Sequence, residues 1–285
     1  MMGGLGMPEK QKMGADVWEQ LSRSPLFLDQ TDARLVVARD QVEEFYLPLA
    51  AAILSRSESV PRLLVAVAGP PGSGKSSLAT ILVATINARA CGETAVLVGL
   101  DGYHYPNDYL ESHFIERDGR CIALRQIKGA PESFDAEAAY DCLSAARSGG
   151  QVSFPIYSRR LHEPLAAAGT ILASHQIVVM EGNYLLLDEP RWQRFRTIFD
   201  VRLFICAGLE TLLEGLRERQ LRGGKSPEAV AQWLQAVDLP NIERVMPGAA
   251  FADVLVHKAD VRTIERLECR EADDAGTPSP SATGG

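Results

Sequence analysis

The stretch from Leu63 to Ser76 constrains the fold more than any other. Leu63-Leu64-Val65-Ala66-Val67-Ala68 is an unbroken apolar run. It reads as a strand buried on both faces, as in a parallel sheet. Gly69-Pro70-Pro71-Gly72-Ser73-Gly74-Lys75-Ser76 follows, and a helical pattern then runs over residues 75–90. The eight residues match G-x-x-x-x-G-K-[ST] in the strand–loop–helix setting this motif requires. An ordinary Gly/Pro turn is the plainer reading, and the full match in that setting disfavours it. Glycines let the backbone curl so that successive N–H groups point inward at a phosphate. The helix start adds partial positive charge. Gly69, Gly72, Ser73, Gly74, Lys75, Ser76 and Ser77 are therefore expected to hold a nucleotide. Lys75 would meet the outer phosphates, and Ser76 would offer its hydroxyl to Mg²⁺. ATP is the expected nucleotide, although no residue here excludes GTP.

Further apolar runs end near Leu100, Met180, Cys206 and His257. Helical patterns alternate with them at 135–147 and 209–222, and Ser226-Pro227-Glu228 opens another by an N-cap and a proline. Strands alternating with helices predict a mostly parallel sheet covered on both faces. The expected fold class is α/β, a P-loop NTPase three-layer α/β/α sandwich with a helical lid around 209–235. Residues 1–14 read as a disordered leader, 15–60 as a helical segment packed on the core, 61–268 as the P-loop domain and 269–285 as a disordered tail. Within the helical segment, residues 32–54 repeat at helical spacing, and Pro48 should kink or divide them. Residues 101–132 read as a long functional loop, and 152–157 as a short strand.

Charge narrows the partners. The 285 residues carry 29 Lys plus Arg against 37 Asp plus Glu, a net charge of −8. That balance is poor for wrapping a nucleic-acid backbone. No run approaches the ~20 apolar residues of a membrane span, and no signal peptide is recognised. Five scattered cysteines without a CxxC pair read as free thiols. Together these predict a cytoplasmic protein without nucleic-acid or membrane partners.

Two carboxylates stand at strand ends, where ligands bind in open α/β sheets. Asp101 could take the proton of an attacking hydroxyl or help hold Mg²⁺. Glu181 could hold the metal, directly or through water. The bland reading of each is a helix cap or turn. Arg217, Arg219 and Arg222 cluster at a helix end, as a phosphate clamp or as a solvated face. His104, His113 and His162 lack metal-ligand spacing, and His104 lies between Tyr103 and Tyr105.

Several segments beyond the loop resemble known enzymes. Asp101-Gly102-Tyr103-His104-Tyr105-Pro106-Asn107, Lys128-Gly129-Ala130-Pro131-Glu132-Ser133-Phe134-Asp135, Pro155-Ile156-Tyr157-Ser158 and Pro240-Asn241 resemble, in order, segments of bacterial pantothenate kinases. The chain is similar to P-loop kinases of the phosphoribulokinase/uridine kinase/pantothenate kinase family over roughly residues 45–258. Glu181-Gly182-Asn183-Tyr184 and Asp238-Leu239-Pro240-Asn241 look most like a bacterial branch named fructose-transport-system kinase or uridine kinase-like protein.

The resemblance implies γ-phosphoryl transfer from Mg-ATP to a hydroxyl. Asp101 would be the base, and Lys75 with Arg217 or Arg219 would stabilise the transferring group. Ser76 and Glu181 would hold Mg²⁺. His104, Tyr105, Lys128, Tyr157, Arg159, Asn183 and Asn241 would surround the acceptor. Arg159 stands where pantothenate kinases have His, which argues against pantothenate. The Arg159-Arg160 pair suits an anionic or hydroxyl-rich acceptor, or else a salt bridge. The acceptors implied are, in order, a uridine-like nucleoside, a fructose-like sugar and pantothenate. A slowly hydrolysing nucleotide-binding regulator is the alternative, and a homodimer is compatible with the resemblance.

Overall fold

The computed structural model describes residues 9–24, 26–27, 34–117 and 119–270. Helix α1 (Glu9–Arg23) leads to a two-residue hairpin, β1 (Leu26–Phe27) with β2 (Arg34–Leu35). A single turn, α2 (Arg39–Gln41), enters a wide π-helical turn over Val42–Tyr46, and α3 (Leu47–Ser57) follows. Strand β3 (Leu63–Ala68), helix α4 (Lys75–Ala90) and β4 (Ala95–Gly99) come next. Then follow α5 (Asn107–Ser112), the β5 (Phe114–Arg117) and β6 (Arg120–Ala123) hairpin, and α6 (Ala136–Arg147). A second hairpin pairs β7 (Val152–Ser158) with β8 (Glu163–Ile171). The rest runs β9 (Ile177–Gly182), α7 (Phe195–Ile198), β10 (Val201–Cys206), α8 (Leu209–Arg222), α9 (Pro227–Trp233), α10 (Leu239–Val245), β11 (Val254–Lys258) and β12 (Ile264–Cys269).

The central sheet has the order β12-β11-β10-β3-β9-β4. Every pairing is parallel except β11 with β12. Strand β3 sits inside, and its side chains alternate between two cores. Leu64, Ala66 and Ala68 face one, with Met180, Trp192 and Phe195. Leu63, Val65 and Val67 face the other, with Ile53, Leu78 and Leu82 of α3 and α4. The mostly parallel α/β/α sandwich is the expected one.

Several expectations need correction. Helix α1 begins at Glu9, inside the stretch read as a leader; residues 1–8 lie outside the described residues. The helical reading from residue 32 fails at its start, where Arg34–Leu35 is extended and the helix begins at Arg39. Pro48 does act where expected. It enters α3 in its first turn, just after Leu47 N–H donates to Val42 O in the π register. The wide turn absorbs the helical hydrogen bond a proline cannot donate. Residues 101–132 are not a loop but a small lobe around Leu110, Leu124 and Ile127. Strand β8 escaped notice because its Ala-rich centre lacks β-branched residues. Cys269 ends β12, and residues 271–285 of the expected tail lie outside the described residues.

Arg62, just before β3, is 1% exposed. Its guanidinium donates to the carbonyls of His175, Ala146, Gly150 and Leu172 at 2.7–2.8 Å. It closes the C-terminal end of α6, where a cation complements the helix dipole, and ties that end to the entry of β9.

Candidate active site

The Gly-rich loop follows β3 and opens α4. Gly72 and Gly74 take φ of 82° and 81°, which L side chains rarely adopt. Space also forbids a side chain there. A Cβ on Gly72 would lie 2.4 Å from Leu212 O of α8, and one on Gly74 2.4 Å from Val261 O. Lys75 is buried, and its Nζ donates to Pro70 O at 2.9 Å. Burial and the Arg219 charge lower its pKa, while Glu181 and Asp101 oppose them. Ser73 Oγ is buried with no hydrogen-bond partner among the described residues. A buried hydroxyl costs free energy unless paired. Inside a curled, glycine-rich loop, the partner that suits it is a phosphate oxygen. Ser77, next after Ser76 on α4, is half-buried.

Ser76 and Glu181 meet across the mouth of the loop. Ser76 Oγ donates to Glu181 Oε1 at 3.0 Å. Glu181 is the penultimate residue of β9, in register with Val67 of β3 and Gly99 of β4. Burial raises its pKa, and the nearby Asp101 charge raises it further. Among the described residues no three His, Cys, Asp or Glu side chains cluster for a metal. A hydroxyl and one carboxylate next to a phosphate site are instead the hard oxygen donors Mg²⁺ takes, with phosphate and water completing its shell.

Asp101 follows β4 in a 3₁₀ turn, Leu100–Tyr103. Burial pushes its pKa up, but His104, Arg159, Arg219 and Lys75 outweigh that and hold the carboxyl below its ordinary value. Its side chain is 36% exposed, and Arg159 Nη2 approaches it to 3.7 Å. Arg160 is exposed. His104 Nδ1 lies 2.9 Å from the Asp101 carbonyl oxygen, so the ring nitrogen is the donor. The ring packs 3.8 Å from Phe134 and 5.2 Å from Tyr157. Burial lowers the His104 pKa, and the Asp101 carboxylate opposes it. Burial pushes Tyr157 up to about 12. Lys128 Nζ donates to Asn107 Oδ1 at 2.7 Å and His162 O at 2.8 Å, and lies 5.3 Å from the Tyr157 ring centre.

The structure separates the lid arginines. The charge of Arg219 acts on Lys75, Asp101 and Asp238. Arg217 lines a groove of about 80 Å³ with Leu221, Pro227, Val230 and Leu234, between α8 and α9. Arg222 approaches Glu218 one turn back. Spacing on one helix end could not distinguish them.

Other expected residues are placed unevenly. Tyr105 stacks on Tyr109 at 4.3 Å and accepts from Arg191, away from Asp101. Asn183 is half-buried after Gly182, with no side-chain hydrogen bond among the described residues. Asn241 is 3% exposed on α10. One turn on, Arg244 grips Glu132 at 2.8 Å and also pairs with Glu189. This clamp joins the lid side to the 128–135 segment, and no sequence spacing announced it, because its three members lie far apart in the chain.

The crystal structure of a Silicibacter sp. TM1040 protein, provisionally described as a fructose transport system kinase, is 31% identical. It covers 71% of this chain and 94% of that one with a TM-score of 0.64. An uncharacterised Escherichia coli K12 protein, YggC, is 29% identical over 78% of this chain and 89% of its own length. A pantothenate kinase of Enterococcus faecalis is 26% identical over 75% of this chain and 74% of its own. The sequence model of the phosphoribulokinase / uridine kinase family matches residues 64–265. With the phosphate loop, the Ser76–Glu181 pair and Asp101 all inside that span, the chain belongs to the phosphoribulokinase / uridine kinase family, whose members are kinases acting on alcohol groups.

Proposed function

We propose that the protein transfers the γ-phosphoryl of Mg-ATP to a hydroxyl of a small-molecule acceptor, a nucleoside or a free sugar. The observation that carries the reading is Asp101. In the turn that follows β4, against the effect of burial, its carboxyl is held below its ordinary value by His104, Arg159, Arg219 and Lys75. A nucleotide switch that only hydrolyses ATP has no use for a base dedicated to an alcohol.

The loop N–H groups and Ser73 would hold the phosphates. Ser76 and Glu181 would hold Mg²⁺, which when bound neutralises phosphate charge. Asp101 accepts the acceptor's hydroxyl proton as the oxygen attacks. Lys75 and Arg219 set positive charge against the transferring group. Arg159 holds the Asp101 side chain in line from the acceptor side, and Tyr157 with Lys128 walls that side. Helices α8 to α10 form a lid with its own core of Leu212, Leu216, Val230, Leu234 and Ile242, suited to closing as a unit and excluding water. The free cysteines support a reducing compartment such as the cytoplasm.

The test is ADP release from Mg-ATP by the purified chain, alone and with uridine, cytidine, fructose, ribulose 5-phosphate or pantothenate. Stimulation by one compound, lost in Lys75→Ala, is the expected result. Slow turnover that no alcohol changes would favour a regulator instead.

A further inference from the structure

The family match begins at residue 64, yet the segment before it reaches the site. Adjacent residues of a strand point to opposite faces. In β1, Leu26 packs against the cluster of Val17, Leu21, Val42, Leu47 and Ala88, which seats the hairpin on α4. Phe27 faces the other way and is 51% exposed. There it forms one wall of a cavity of about 230 Å³. The other walls include Ser76 and Glu181, Gly99 just ahead of Asp101, and Ile156 and Tyr157 of β7.

Three features mark this cavity as the seat of a compact acceptor. It is compact, below the ~300–1,000 Å³ of sites for larger ligands. It adjoins the Ser76–Glu181 pair and the strand end that carries Asp101. Its lining is mostly apolar and includes the rings of Phe27, Phe154 and Tyr157, with Ser76, Thr80 and Glu181 among its polar groups. A half-exposed ring at such a mouth gains by burying its face against a ligand, most of all a flat one.

We infer that Phe27 determines acceptor specificity: it is the outer wall of the acceptor subsite and selects a compound that lays a planar face against it. The inference rests on the kinase reading and deepens it. A nucleoside base offers such a face, and an open polyol such as fructose does not. The ring also keeps water from the phosphoryl-transfer site.

The experiment measures ADP release by the full chain with uridine and with fructose as probes, in the parent, Phe27→Ala and Phe27→Tyr. Uridine should stimulate the parent more than fructose does. Phe27→Ala should raise the uridine KM about 10-fold, with kcat and the KM for ATP within about twofold, as for lost binding that ground and transition states share. Phe27→Tyr should keep the parent's uridine KM. Acceptor-free ATP hydrolysis should rise severalfold in Phe27→Ala. A uridine KM unchanged by Phe27→Ala overturns the inference, as does stimulation by fructose with a KM indifferent to Phe27. Equal losses of kcat in the Ala and Tyr variants would show a structural role and overturn it too. Should neither probe be phosphorylated, hydrolysis decides: a rise in Phe27→Ala supports the wall, and no rise overturns it. Lys75→Ala separately reports on the kinase reading, because hydrolysis that survives it fails that reading and not this one.

Discussion

Ser76 Oγ and Glu181 Oε1 lie 3.0 Å apart, joining the first turn of α4 to the end of β9. They stand 105 residues apart in the chain and meet because β3, which leads into α4, pairs in parallel with β9. The Ser76 hydroxyl donates to the buried Glu181 carboxylate and offsets part of the cost of burying it. The Glu181 carboxyl is pushed above its ordinary value by burial and by Asp101. A proton and a cation therefore compete for the same site. Mg²⁺ binding in the presence of ADP should tighten as pH rises from about 6 to about 8, with proton release. Glu181→Gln should weaken binding and flatten that dependence. Calorimetry in two buffers of different ionisation enthalpy reads both.

The same raised value sets a stability trend. In the nucleotide-free chain, the folded state keeps the Glu181 proton above the pH where an unfolded glutamate loses it. That contribution is present at low pH and fades as pH rises through the folded-state value. Glu181→Gln should remove this slope from the pH profile of urea unfolding, compared with the parent.

Lys75→Ala should remove nearly all turnover. Asp101→Asn should lower kcat by ~10²-fold or more with ATP affinity little changed, as for a lost general base. Steady-state kinetics with the accepted alcohol, beside nucleotide binding by fluorescence, separates the two effects.

The lid arginines should divide. Arg219 acts electrostatically on Lys75 and Asp101, whereas Arg217 lies in the α8–α9 groove. Arg219→Ala should cost ~10²-fold in kcat, in the range of other lost transition-state donors. Arg217→Ala should cost less than about threefold, within the small range of ordinary surface substitutions. Equal losses in the two variants would contradict this division.

Arg62→Met should destabilise the chain by about 1.5–3 kcal/mol, because the Ala146 and His175 carbonyls lose a buried charged donor. Urea unfolding measures it. Turnover per folded molecule should hold, since Arg62 sits at the opposite end of β3 from the phosphate loop.

Much of this was legible in residues 63–76. An apolar β-branched run, a curled Gly loop and a helix start are local features, and each follows from backbone sterics over a few residues. Asp101 and Glu181 were legible for the same reason, because strand ends point at the ligand edge of a parallel sheet. The small lobe over 101–132 was not legible. Its strands are four residues each and mostly exposed, so no apolar period marks them. Strand β12 escaped for a related reason: it is an antiparallel edge whose outward positions are charged.

The sequence by itself determined the phosphate loop, the alternation of the main buried strands with helices, and which carboxylates stand at strand ends. Those depend on short-range sterics and the burial of periodic apolar faces. Only the tertiary structure decided which lid arginine faces the site, that Arg244 grips Glu132 and Glu189, and that Phe27 closes a cavity beside Glu181. Each of these joins residues whose separation in the chain carries no information about distance. Their meeting depends on how the sheet twists and how the helices pack, which a linear reading of the chain does not contain.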